Sequence, residues 1–218
     1  MKILHVRILA LFCFGLWSGG TFAQGASQQS GPILPVPSSE TPQLLIEKIN
    51  RSLNGMTTLI GDFSQISADG RRRSGKLYVQ RPGKLRFDYN PPSQLEIIAD
   101  GSSVAVIDKR VPQQDIYGIN QTPLKFLVGD RIDITKDTKV LSVRREKDDI
   151  VLDIEDKNTI AGTSKIRIYF NGDTVQLKRW VVTDPQGVPT TVSLANLNTQ
   201  QRPDKGLFFI NYQFNVGR

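Results

Sequence analysis

From Leu59 onward the apolar residues recur at every second position, in short runs broken by turn residues. That period of two restricts the chain to strands with one buried face, because successive side chains of a strand point to opposite sides. "LIGDFSQI", "GKLYVQR", "KLRFDY", "LEIIAD" and "SVAVID" follow one another between residues 59 and 108. "KVLSV", "DIVLDIE", "SKIRIYF", "TVQLKRWVV", "VPTTVSLANL" and "LFFINYQF" continue the series from 139 to 214. Asp69-Gly70, Asp100-Gly101 and Asn171-Gly172 supply turn chemistry between them, and Asn90-Pro91-Pro92-Ser93 interrupts another pair. The pattern predicts a large antiparallel meander.

Two segments carry a different period. Thr41 and Pro42 form a helix start, Leu45, Ile49, Leu53 and Met56 make one apolar stripe, and Gly55 marks the stop. Between the two series of strands, "INQTPLKFLVGDR" at 119–131 reads as a short apolar helix opened by Thr122-Pro123 and stopped by Gly129. A sheet this long must curl, and the two helices are its available cover. The expected fold is mainly β: an unclosed antiparallel barrel, or half-barrel, lidded by short helices.

The first 23 residues place Lys2 and Arg7 before an apolar run from Ile8 to Trp17 and end on Thr21-Phe22-Ala23, the layout of a cleavable export signal. Residues 24–40 are rich in Gln, Ser, Pro and Gly and are expected to be a disordered leader, so a single domain is expected over 41–218. The only histidine, His5, and the only cysteine, Cys13, leave with the signal. Histidine- or cysteine-based catalysis, zinc sites with those ligands and disulfides are thereby excluded from the mature chain, and no cofactor is expected. Losing Lys2 and Arg7 reduces the 28 basic residues to 26 against 21 acidic, a net charge of +5. That balance fits a solvated surface or a soft attraction to anionic membranes better than nucleic-acid binding.

Alternation assigns the faces. Leu77, Val79, Leu85, Phe87, Tyr89, Ile150, Leu152, Ile154, Ile166, Ile168 and Phe170 fall inward, and Lys76, Lys84, Arg86, Asp153 and Arg167 outward. Two short helices leave part of such an interior unfilled, and half-barrels of this kind hold apolar ligands. Arg81 is the anomaly, since it continues the inward series of Gly75, Leu77 and Val79. A guanidinium there either finds acceptors for its five donors or snorkels to solvent past Pro82.

The ordered set of an N-terminal amphipathic helix, Phe63-Ser64-Gln65, the Gly75–Tyr89 run "GKLYVQRPGKLRFDY", Pro91-Pro92, Ala99-Asp100-Gly101 and Thr122-Pro123 resembles the LolA-type periplasmic outer-membrane lipoprotein carriers. The resemblance implies an unclosed barrel whose apolar cavity takes lipoprotein acyl chains, with no catalytic step. It implies a periplasmic monomer that receives cargo from an ATP-driven release complex in the inner membrane and passes it to an outer-membrane acceptor. Arg81 falls on the family's Arg-Pro motif, whose arginine bonds lid carbonyls in the closed form, and Leu85 on an apolar position involved in cargo handling. The cavity is then expected to use Phe63, Leu77, Val79, Leu85, Phe87, Tyr89 and Leu152. A carrier or sensor of another lipid or glycolipid would use the same half-barrel. "SVAVID" lacks the aromatic residues of the family pattern, and the leader is longer.

Other signals carry less. Arg71-Arg72-Arg73 follows a turn and reads as a solvated loop, with anionic headgroups or an acidic partner as the functional alternative. Asp148-Asp149 and Glu155-Asp156 are adjacent acids that a strand points to opposite faces, so neither forms an acid–base pair. Trp180 is the one tryptophan left after signal removal and is expected in the sheet.

Overall fold

The computed structural model describes residues 40–111, 113–159 and 162–215. The expected export signal and all of the leader except Glu40 lie outside the described residues. The chain opens with α1 (Pro42–Gly55), capped by the Thr41 hydroxyl, which accepts from the Leu44 N–H at 3.3 Å. Five strands follow: β1 (Thr58–Ile66), β2 (Arg72–Gln80), β3 (Lys84–Tyr89), β4 (Leu95–Asp100) and β5 (Ser103–Asp108). Then come β6 (Gln113–Gly118), α2 (Lys125–Val128), α3 (Ile134–Asp137), β7 (Lys139–Glu146), β8 (Asp149–Thr159), β9 (Gly162–Asn171), β10 (Leu177–Thr183) and β11 (Pro189–Asn198).

All ladders are antiparallel, and the pairing of β1 with β11 joins two meanders into one 11-stranded sheet with β6 and β7 as its edges. The connection from β6 to β7 carries α2 and α3. The concave face holds the main core, in which Leu45, Ile49 and Leu53 of α1 meet Phe126, Leu127 and Val128 of α2 and the inward residues of the strands. Gly75 sits where β2 needs no side chain: a Cβ there would lie 2.0 Å from the Asp88 carbonyl oxygen and 2.8 Å from the Phe63 ring. That vacancy lets Phe63 pack edge-on against Phe87 and Tyr89, each with ring centres 4.9 Å away.

Two expectations are corrected, and one strand is added. "LFFINYQF" is not a strand but two 3-10 turns, Lys205–Phe208 and Tyr212–Asn215. Its alternation is real, with Phe208 and Ile210 buried and Phe209 exposed, but it lies across the convex face without a ladder partner. Ile210 covers Ile98 and Ala105 there, and the Leu207 carbonyl accepts from Arg86 Nη1 at 3.2 Å. The polar sequence of β6 hid an edge strand that backbone pairing with β5 defines. The helix expected at 119–131 is a single turn, α2, preceded by a 3-10 turn at Ile119–Gln121, and Thr122 ends that turn instead of starting a helix.

Candidate functional site

Every strand residue expected in the cavity is buried in one continuous cluster: Phe63, Leu77, Val79, Leu85, Phe87, Tyr89 and Leu152. Side chains of α2 enter the same cluster. Phe126 of α2 sits against Trp180 with ring centres 5.7 Å apart, and Trp180 in turn packs on Phe87 at 6.5 Å. Tyr89 closes the aromatic group and donates its hydroxyl to Gln65 Oε1, and burial pushes its pKa up to about 12. Among the described residues, no group of three or more His, Cys, Asp or Glu side chains could hold a metal ion. No described helix is long and apolar enough to cross a membrane.

Arg81 stands at the end of β2, its backbone N–H donating to the Thr57 carbonyl at 2.8 Å. Its half-buried guanidinium gathers acceptors from two elements. Nη1 donates to the carbonyls of Leu53 and, at 3.3 Å, Met56. Nε donates to the Gly129 carbonyl at 2.8 Å, and Nη2 to the Asp130 carbonyl at 3.2 Å and to Asn54 Oδ1 at 3.3 Å. The last carbonyls of a helix lack intrahelical partners and carry the negative end of its dipole, so a guanidinium is a fitting C-terminal cap for α1. The same group ties the residues just after α2 to α1. Burial lowers the Arg81 pKa from its ordinary value, and the Asp130 charge opposes that shift.

The turn after Arg81 adds a further tie, because the Gly83 N–H donates to the Val128 carbonyl at 2.7 Å. Gly83 has φ +75°, and a Cβ on it would meet the Gly101 Cα at 2.5 Å, so this close turn-to-turn approach requires glycine.

Sequence reasoning missed two sets of contacts. Asn54 Oδ1 accepts from the Ile132 N–H at 2.9 Å while its Nδ2 donates to the Ile132 carbonyl at 2.8 Å, and Asn50 Oδ1 accepts from the Ile134 N–H at 3.1 Å. Their spacing of four, beside the apolar stripe of α1, was the only available signal. The second is Lys125, whose ammonium lies 2.9 Å from Asp156 on β8. Asp156 is 3% exposed and lies at the inward continuation of Ile150, Leu152 and Ile154. The pair fastens α2 to the wall opposite Arg81.

Breaking that pair from one side strands a charge. Lys125→Met is expected to destabilise the protein by about 2 kcal/mol, below the usual range for a fully buried pair because Lys125 keeps some solvent contact. Lys125→Met combined with Asp156→Leu should recover part of the loss, read as the denaturant midpoint.

Two grooves flank the helices. One, of about 580 Å³, runs past Phe126, Gly129, Ile132 and Ile134. The other, of about 360 Å³, lies between Leu53 of α1, Met56 just after it, and Leu177 and Leu197 of the sheet. None of the seven expected cavity residues lines either groove.

Residues 54–211, from the end of α1 through the strap across the convex face, match the family model of the outer membrane lipoprotein carrier protein LolA. The chain belongs to the LolA family. An outer-membrane lipoprotein carrier protein of Legionella pneumophila (strain Lens) is 27% identical over 178 residues, spanning 78% of this chain and 86% of the relative. One from Methylococcus capsulatus is 29% identical over 177 residues, spanning 77% and 82%. A solved LolA superfamily protein from Nitrosomonas europaea aligns at 13% identity with a TM-score of 0.44, covering 79% of this chain and 99% of that one. The family match takes in Arg81 with its turn and the whole β6–β7 connection.

Proposed function

We propose that this LolA-family protein carries lipoproteins through the periplasm, sheltering their acyl chains on the concave face with no catalytic step. One observation carries the reading: a continuous apolar face is covered by α1 and α2, and α2 is held over it by polar contacts at its ends, from Arg81, Gly83 and Lys125. In this reading Phe63, Leu77, Val79, Leu85, Phe87, Tyr89 and Leu152 contact either helix side chains or cargo, in alternation. Arg81 biases the exchange toward closure. An ATP-driven complex in the inner membrane hands over the lipoprotein, and an outer-membrane acceptor takes it from the carrier, which acts as a monomer.

The magnitudes suit a carrier. Each buried methylene gains about 0.8 kcal/mol, so several fully sequestered acyl chains would never leave unaided. A lid that competes for the same surface subtracts its own closing energy from cargo affinity. Release then needs only that an acceptor outbid the remainder.

Native mass spectrometry of the mature protein, purified from the periplasm of cells expressing a tagged lipoprotein, is expected to show a one-to-one complex. Recovery of only a free lipid or glycolipid would replace lipoprotein with that cargo, and an empty protein would overturn the carrier reading.

A further inference from the structure

At the end of the barrel away from Arg81, the tip of the β1–β2 hairpin, the β3–β4 loop and the turn after β5 stand side by side along one rim. They enclose a groove of about 330 Å³ lined by Arg71, Arg72, Arg73 and Arg110 together with neutral residues of the Asn90–Leu95 loop. Among the described residues no carboxylate lines it.

Two of the four guanidiniums are fixed in place. Asp69 accepts from the Arg71 N–H at 3.0 Å and pairs with its guanidinium at 2.5 Å. Asp108 likewise accepts from the Arg110 N–H at 3.1 Å and from its Nε at 2.9 and 3.1 Å. Arg72 and Arg73 form no ion pair among the described residues; Arg73 reaches only the Ser67 hydroxyl, at 3.4 Å. The groove therefore presents two held arginines and two that form no ion pair, Arg73 lying within electrostatic reach of Asp69 and Asp108. Planar guanidiniums match phosphate oxygens two at a time, which makes this residue type suited to phosphate.

The neighbourhood favours a bilayer over a soluble anion or an acidic protein. Val111 is 47% exposed directly beside Arg110, so the rim offers an apolar side chain next to cationic ones, the combination that suits the boundary between headgroups and acyl chains. The groove admits a headgroup but is too small for a folded segment. We propose that this arginine groove docks the protein, by the rim opposite Arg81, on the phosphate headgroups of an anionic phospholipid bilayer. Docking by this rim does not depend on what the concave face carries.

The test is flotation of the full mature protein with vesicles of phosphatidylcholine alone and of phosphatidylcholine mixed with phosphatidylglycerol. The wild type is expected to float only with the mixed vesicles and to be released by high salt. Arg72→Gln/Arg73→Gln should bind about 30-fold more weakly, the effect of two basic residues at a charged surface. Lys136→Gln/Lys178→Gln removes the same charge elsewhere and should bind as wild type, with unchanged thermal melting of both variants certifying the fold. Wild type that ignores mixed vesicles, or equal loss in both double variants, would overturn the proposal. Retention on polyglutamate that depends on Arg72 and Arg73, without vesicle binding, would replace the bilayer with an acidic protein partner.

Discussion

Arg81→Leu is expected to leave the sheet intact and to shift the lid from closed to open by about a hundredfold. Three bonds from the guanidinium reach carbonyls at normal length, and a fourth reaches the Leu53 carbonyl. Each charged bond contributes on the order of 1.5–3 kcal/mol, but leucine fills part of the volume and water can reach the freed carbonyls at this half-buried site. A net loss of about 3 kcal/mol is therefore expected, which corresponds to that hundredfold. The variant should accumulate the lipoprotein complex in native mass spectra while its far-ultraviolet circular dichroism stays that of wild type. Arg81→Lys should fall between them, because a single ammonium cannot reach the end of α1 and the residues after α2 with the fork of a guanidinium. Loss of the bound complex in Arg81→Leu would contradict a closing role.

Phe126→Ala acts on the same equilibrium from the apolar side. Phe126 is 3% exposed and wedged against Trp180, so truncation removes a ring from the centre of the contact between α2 and the concave face. Truncating a buried phenylalanine to alanine loses its burial and leaves a cavity, a cost of about 3–5 kcal/mol. If α2 is the lid, most of that loss is expected to fall on its closure, since α2 takes no part in any ladder. Trp180 is the only tryptophan outside the expected signal, so its emission reports the event directly. A red shift and increased uptake of an apolar dye are expected. Combined with Arg81→Leu the effects should be less than additive, because a lid that is already open has no further closure to lose.

The strand pattern shows how much of this fold period-two alternation can carry. β3, β4 and β5 coincide with the runs "KLRFDY", "LEIIAD" and "SVAVID" because each pairs on both sides and turns apolar residues to the concave face, β4 and β5 also burying Ile98 and Ala105 beneath Ile210 on the convex face. β6 escaped since an edge strand need bury little, and 207–214 misled because alternation reports which side a residue faces and not whether its backbone has a ladder partner. The same limit applies at the site. The alternation rule sent Glu155 and Asp156 to opposite faces, and they do diverge: Glu155 pairs with Lys139 at 3.5 Å, while Asp156 turns inward. Its partner Lys125 comes from a connection with no period, 31 residues away, and no local rule reaches that far. Asn50 and Asn54 were hidden for the same reason, since their partners at 132 and 134 lie in that connection.

In the proposed carrier, acyl chains and α2 compete for one apolar face. Amide hydrogen exchange on the empty protein and on its purified lipoprotein complex tests it most directly. The Leu127 and Gly129 amides, bonded to the Leu124 and Lys125 carbonyls at 2.9 Å in the closed arrangement, are the reporters. Competition predicts that they lose protection when cargo is bound, while amides in the β2–β3 and β8–β9 ladders keep theirs. Equal or greater protection of Leu127 and Gly129 in the loaded protein would mean that α2 stays in place and that the acyl chains bind elsewhere.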